Sequence, residues 1–274
     1  MKGHAPTLFS RGAVQIMEET IIVKDLRKTY HLSRKQQRLE RTNVREKIAL
    51  RDLSFTAYRG EVFGLLGPNG AGKTTTLRIR STLISADSGA ASIEGFDVAC
   101  DSEEVRRRIG FLTSELKLEE FFTPNYLFDY FGKLYDVAPE TLAARKKELF
   151  EKFGIDKFAE VKVGELSTGM KQKVSLVVSI VHDPDVIIFD EPTNGLDIVA
   201  ARDVTDFLLD RRAEGKTILL STHIFELAEK LCDRVGIIMD GEMTACGTLA
   251  ELTQGGTLEE KFFELYAQRQ GDRA

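Results

Sequence analysis

A chain of 274 residues, 42% of them hydrophobic, is long enough to bury a sizeable core in one or two domains. Its formal net charge of −5, with 30% charged residues, gives no global basic surface for nucleic acid. Cys100, Cys232 and Cys246 are scattered and form no C-x-x-C pair, which fits a reducing compartment and argues against a disulfide framework or a zinc site.

Residues 1–16 lack periodicity and are expected to form a disordered tail without the continuous apolar core of a signal peptide. Met17 opens MEETIIVKDL as a candidate natural start, and an ordinary flexible N-terminus fits equally well. A short strand is predicted at 21–23 and a second, of alternating polarity, at 49–58. Between them, 31–47 (HLSRKQQRLERTNVREK) carries six Lys/Arg and almost no apolar residues, the pattern of a solvated loop or of a contact with anionic lipid or a partner. A strand at 61–66 runs into GPNGAGKTT at 67–75 and a helix at 72–83. Strands follow at 91–95 and 109–112. Residues 121–165 are aromatic-rich and helical in period, and read as a helical insertion. Helices at 171–181, 198–212 and 225–232 then alternate with strands at 186–189 and 217–220. Residues 235–239 and 242–245 form a hairpin across Asp240-Gly241, and 258–268 an amphipathic helix. The order implies an α/β core with a parallel sheet and one helical insertion. No apolar run approaches the roughly 18 residues that span a bilayer, so a membrane role is expected to run through another chain.

Gly67, Gly72, Lys73 and Thr74 match G-x-x-x-x-G-K-[ST], between a strand and a helix as that pattern requires. In the loop Gly67, Pro68, Asn69, Gly70, Ala71, Gly72, Lys73, Thr74 and Thr75, the backbone N–H groups, which all but Pro68 carry, can converge on phosphate oxygens, aided by the helix dipole. Lys73 would pair with the β- and γ-phosphates, and the Thr74 hydroxyl would ligate Mg²⁺. The run VIIFDE places Asp190 and Glu191 at the C-terminal end of a buried strand. Asp190 would hold Mg²⁺ through water, and Glu191 would act as general base on an attacking water. Leu166, Ser167, Thr168, Gly169 and Met170 precede a helix and offer an anion site, or an ordinary helix cap.

Taken in order, GPNGAGKT, LSTGM, IIFDEPTNGLD and TILLSTH resemble the nucleotide-binding domain of an ATP-binding cassette (ABC) transporter over about residues 19–250. That resemblance implies a P-loop NTPase (RecA-like) α/β core, a small antiparallel β subdomain and a helical signature subdomain. It divides the chain into the tail 1–16, a nucleotide-binding domain 17–250 with the helical subdomain at about 114–170, and a C-terminal helical tail 251–274. LSTGM is similar to the family signature LSGGQ, with Thr168 and Met170 altered. The signature acts on the ATP of the opposite subunit, which implies a head-to-tail dimer. Gly195, Leu196 and Asp197 resemble the D-loop, His223 the switch histidine beside catalytic Glu191, and Tyr30 the aromatic that stacks on adenine. Where the family carries a Q-loop glutamine this chain has Ser114, with Glu115 next to it. Arg80 is also unusual: it falls in the helix after the phosphate loop, where an apolar residue is expected, and either snorkelling or a loss of stability would follow.

The implied activity is MgATP hydrolysis by a homodimer on the cytoplasmic face of the cell membrane, coupled to a separate permease and without nucleic acid. Sodium-efflux (Nat-type) and drug-export ATPases are the nearest likeness, and the segment at 120–140 would receive the permease's coupling helix. The alternative is a non-transport cassette ATPase. A translation-factor type would need two tandem cassettes, and a repair type a long heptad insertion before the signature; neither is present. A GTPase would need an N/T-K-x-D motif, which is absent.

Overall fold

The computed structural model describes residues 17–39, 43–113 and 118–271. In chain order its strands are β1 (Glu19–His31), β2 (Glu46–Tyr58), β3 (Val62–Leu66), β4 (Ser88–Ile93), β5 (Phe96–Asp97), β6 (Ile109–Leu112), β7 (Val186–Asp190), β8 (Thr217–Thr222), β9 (Arg234–Met239) and β10 (Glu242–Thr248). The helices are α1 (Arg34–Leu39), α2 (Lys73–Arg80), α3 (Ser102–Arg108), α4 (Pro124–Leu134), α5 (Pro139–Phe153), α6 (Thr168–Ser179), α7 (Ile198–Ala213), α8 (Phe225–Leu231), α9 (Leu249–Thr253) and α10 (Leu258–Gly271).

Two sheets form the frame. One is antiparallel, in the order β2-β1-β4-β5. The other runs β10-β9-β3-β8-β7-β6, parallel except for the β9–β10 hairpin. Its central strands β3, β7 and β8 are buried along their whole length because both faces are covered, which is why they read as unbroken apolar runs. Alternate residues serve two cores. Phe63, Leu65, Ile188 and Leu219 face the antiparallel sheet and α2, whereas Val62, Leu66, Ile187, Phe189, Ile218 and Leu220 join the helical side.

The basic segment at 31–47 corrects the sequence reading. β1 and β2 are each 13 residues long, with Tyr30 paired to Lys47 and His31 to Glu46, and α1 follows β1. Backbone pairing needs no apolar side chains once the first half of the hairpin is anchored by Ile21, Val23 and Leu53, so the strands outrun the hydrophobic signal. Bulges between Val23 and Lys28, with Asp25 at φ 49°, shift the register of β1 on its way to Tyr30.

In the insertion, Thr123 caps α4 by accepting from the Tyr126 N–H at 3.2 Å, and Gly154 at φ 66° ends α5. Asp240 and Gly241 both have positive φ, as the predicted hairpin turn requires. The tail helix α10 is docked: Phe262 packs on Phe225 with ring centroids 5.3 Å apart, and Arg269 reaches Asp240 and Glu242 of the hairpin at 3.0 and 2.6 Å.

Beyond α6, His182 stacks on Tyr135 with centroids 3.8 Å apart, and its Nε2–H donates to the Ile109 carbonyl at 3.1 Å. Burial, helped by Arg145 and Lys216 and opposed by the Ile109 carbonyl and Asp183, pushes its pKa down to about 4. The unfolded chain takes up this proton near 6.5 and the folded chain does not, so the stability present above that value is lost as pH falls toward 4. Between pH 7 and pH 5 the wild-type chain is expected to lose about 2 kcal/mol that His182→Phe keeps. Urea unfolding of both proteins at the two pH values measures the difference.

Candidate active site

The phosphate loop leaves β3 at Gly67, which runs so close to β9 that a Cβ there would lie 2.3 Å from the Ile238 carbonyl oxygen. Gly72 has φ 108° and would place a Cβ 2.6 Å from the Ala49 carbonyl oxygen, so only glycine fits. Between them the chain turns back on itself and enters α2 at Lys73. The Lys73 ammonium is buried and donates to the carbonyls of Gly67 and Pro68 at 2.6 and 3.3 Å. Burial lowers its pKa, opposed by the carboxylates of Glu191 and Asp190.

Those carboxylates stand at the end of β7, one strand removed from β3. Asp190 is buried and accepts from the Ser221 hydroxyl. Glu191, at φ 51°, turns out of the strand with its N–H donating to the Ser221 carbonyl and hydroxyl at 3.1 and 3.2 Å. A non-glycine residue in this region costs energy and persists only where the surroundings impose it. The Glu191 carboxylate lies between two cations or potential cations: Lys73 Nζ at 3.7 Å from Oε1, and His223 Nδ1 at 2.9 Å from Oε2.

One cleft of about 510 Å³ collects these groups. The loop from Pro68 to Thr75 forms its floor, Asp190, Glu191 and His223 one wall, and Tyr30 the other, with the Tyr30 hydroxyl 3.4 Å from Thr75 Oγ1. The sequence reading missed Ser221, which accepts the Glu191 N–H and donates to Asp190, and the wall residues His31, Leu32, Lys47 and Ala49; Asn194, which opens the D-loop-like stretch, also lines the cleft. Ser221 stands inside TILLSTH two residues before His223 and carries no marker of its own; His31, Leu32, Lys47 and Ala49 are brought to the cleft by the pairing of β1 with β2.

The signature residues do not line that cleft. Ser167 caps α6 by accepting from the Met170 N–H at 3.3 Å, so Thr168, Gly169 and Met170 are the first turn of the helix and not a loop before it. Leu166 is buried behind them. Gly195 and Leu196 pack beside this turn, Leu196 Cδ2 lying 3.8 Å from where a Gly169 side chain would start. Asp197 caps α7 by accepting from the N–H groups of Val199 and Ala200, both at 2.9 Å; the Ala200 bond foremost holds its carboxyl below the usual range. The two residues after that cap, Ile198 and Val199, are 90% and 70% exposed. Ser114 and Glu115 lie outside the described residues.

A second cleft, of about 480 Å³, opens between α4, β6 and the end of α2. Leu83, Phe111, Phe122, Tyr130 and Phe131 line it, and the rings of Phe121, Phe122, Tyr126 and Tyr130 follow one another along its rim.

Residues 50–194, more than half of the chain, match the family model described as ABC transporter. This chain belongs to that family. It is 41% identical over 213 residues to the ABC transporter ATP-binding protein NatA of Bacillus subtilis (strain 168), covering 77% of this chain and 87% of that protein. It is also 41% identical over 202 residues to the Nod factor export ATP-binding protein I of Burkholderia lata, covering 74% of this chain and 66% of that protein. The solved structure of an ATP-binding subunit of an ABC transporter superimposes with a TM-score of 0.79 at 31% identity, over 90% of this chain and 99% of that one. The ABC cassette is thus an ATP-binding and ATP-hydrolysing subunit of the transporter type, with the P-loop NTPase core, antiparallel subdomain and helical subdomain expected of its sequence. Among the described residues no helix is long and apolar enough to cross a membrane.

Proposed function

We propose that this chain is the ATP-hydrolysing subunit of an exporter. Two copies close head to tail over two MgATP and drive a separately encoded permease from the cytoplasmic face of the membrane. The observation that carries this reading is the division of one chemistry between two places. Lys73, Asp190, Glu191 and His223 converge on one cleft, while Leu166, Ser167, Thr168, Gly169 and Met170 stand outside its lining. A second copy, turned end for end, supplies the donors of its signature turn to the open side of the cleft. The exposed Ile198 and Val199 next to Asp197 give that contact an apolar component.

The oxygen donors present suit Mg²⁺. Among the described residues no three His, Cys, Asp or Glu side chains cluster as a self-sufficient metal site. The Thr74 hydroxyl and the Asp190 carboxylate would share the ion with substrate phosphates, the arrangement this small hard cation favours. When bound, Mg²⁺ would neutralise the negative charge that develops on the phosphates.

The chain's own groups do the rest. Lys73 leaves the carbonyls of Gly67 and Pro68 for the phosphates. Tyr30 offers its ring to the base. Glu191 takes a proton from the attacking water as the water oxygen bonds to the γ-phosphorus and the bond to the ADP oxygen breaks. His223 Nδ1–H holds that carboxylate in place.

The aromatic cleft beside α4 is the docking site for the permease's coupling helix, and the name of the Nod factor relative supports export as the direction. Sodium or a drug is the cargo favoured by the resemblance, with selection left to the permease. Tyr130, 51% exposed on the rim, gives the test. Tyr130→Asp is expected to leave hydrolysis by the purified chain within about twofold while removing transport and its permease-dependent stimulation, because a rim charge must be desolvated on docking. Unimpaired transport by this variant would overturn the docking assignment.

A further inference from the structure

We infer that Arg80 is a positioning residue for the nucleotide cleft, fixing the antiparallel sheet that carries Tyr30 against the helix that carries Lys73. The side chain does not snorkel. It is wholly buried at the last position of α2, with Nη2–H donating to the Ser92 carbonyl of β4 at 3.1 Å and Nη1–H to the Ile22 carbonyl of β1 at 3.4 Å. Its guanidinium carbon lies 5.6 Å from the centre of the Phe55 ring on β2. Phe55 stacks in turn on Phe63 of β3 at 5.0 Å and 10°. One guanidinium therefore touches three strands of the antiparallel sheet, and through Phe55 meets the strand that delivers Gly67.

This is an expensive way to fill space. Among the described residues no carboxylate pairs with Arg80, and its Nε has no partner. Burial pulls its pKa down to about 9, which leaves it cationic at neutral pH. An apolar side chain of similar volume would fill the site without a desolvated charge, and such replacements are commonly neutral or stabilising. What the guanidinium adds is direction: a planar fork bonding two different strands at once, which neither lysine nor methionine reproduces.

The geometry makes that direction matter. The cleft takes its base-side wall from β1 and β2 and its phosphate side from the first turn of α2. Along β1, Tyr30 lies at most about 26 Å from Ile22, so a tilt of about five degrees at Ile22 moves Tyr30 by up to roughly 2 Å. The entry to the phosphate loop at Gly67 would stay where it is, since β3 and β9 hold it from the other side, and only Gly72 also meets the tilting sheet, at Ala49 of β2.

The inference rests on the reading that the base lies against Tyr30, and the experiment separates the two. Calorimetry measures MgATP and magnesium tripolyphosphate, which has the phosphates without base or ribose, binding to the wild-type chain, Arg80→Met and Arg80→Lys, with thermal unfolding of each. Arg80→Met is expected to weaken ATP about tenfold, the worth of hydrogen bonds from a charged donor. Tripolyphosphate binding should stay within about twofold, and the unfolding temperature should be unchanged or higher. Arg80→Lys should lie between the two, and it carries the comparison alone if the methionine variant does not fold. Equal weakening of both ligands, no change in either, or failure of both variants to fold overturns the inference. A wild-type chain that binds ATP no tighter than tripolyphosphate, or as tightly after Tyr30→Ala, overturns the base-site reading instead, and the inference with it.

Discussion

Glu191→Gln is expected to lower ATP turnover by about 10²–10⁴-fold, the usual worth of a positioned general base, while ATP binding is kept. The substitution preserves the shape of a side chain held at φ 51° by the Ser221 carbonyl and hydroxyl, so the turn at the end of β7 should survive. The amide cannot take the proton from water, and it withdraws a negative charge from Lys73, 3.7 Å away. With the γ-phosphate retained, the interactions that close two copies over ATP persist, and the population shifts to the closed dimer. Phosphate release and gel filtration in MgATP read both effects. A hydrolysis rate close to wild type would remove Glu191 as the base; lost activity with a monomeric elution would keep the base and remove the closure.

The second large effect tests the division of the site between copies. Lys73→Ala removes the buried ammonium from the phosphate side, and Gly169→Asp puts a carboxylate at the first turn of α6 where the partner's phosphates are proposed to dock. Each variant alone should be inactive. Mixed in equal amounts, they should recover roughly a quarter of wild-type activity: random pairing makes half the dimers mixed, each with one whole site out of two. The carboxylate and the missing ammonium then fall in the same defective site, and the other is intact. Mixtures as inactive as their parents would show that the signature acts within its own chain or not at all.

Both experiments use residues that are legible in the sequence alone. The phosphate loop announces itself because its glycines answer backbone demands, the φ of 108° at Gly72 and the close approach of Gly67 to the Ile238 carbonyl of β9. The acids after VIIF were equally plain, since an apolar strand ending in two carboxylates needs a cation nearby. Periodicity also gave the aromatic insertion and the amphipathic tail helix, because packing on one face leaves a helical signature in the sequence, though not the surface on which the tail docks.

Other features left weaker traces. The reach of β1 and β2 past the apolar residues depends on backbone pairing, which polar side chains do not announce. In LSTGM the cap reading holds for Ser167, whose Oγ accepts the Met170 N–H, but Thr168, Gly169 and Met170 belong to the first turn of the helix and not to a segment before it. Ser221 had no marker, though it holds Asp190 by its hydroxyl and receives the Glu191 N–H.

The sequence by itself determined the α/β frame and singled out Lys73, Thr74, Asp190 and Glu191 as candidate reacting groups, because these rest on local chemistry at fixed spacing; the ordered set of motifs carried the family and, by resemblance, His223. Only the tertiary structure decided where those groups stand relative to one another and to the signature. It put Glu191 between Lys73 and His223, left LSTGM outside the cleft, and buried Arg80 between two carbonyls and an aromatic ring. Each outcome joins strands far apart in the chain, and the distances between them are fixed by sheet order and core packing, which no local pattern encodes.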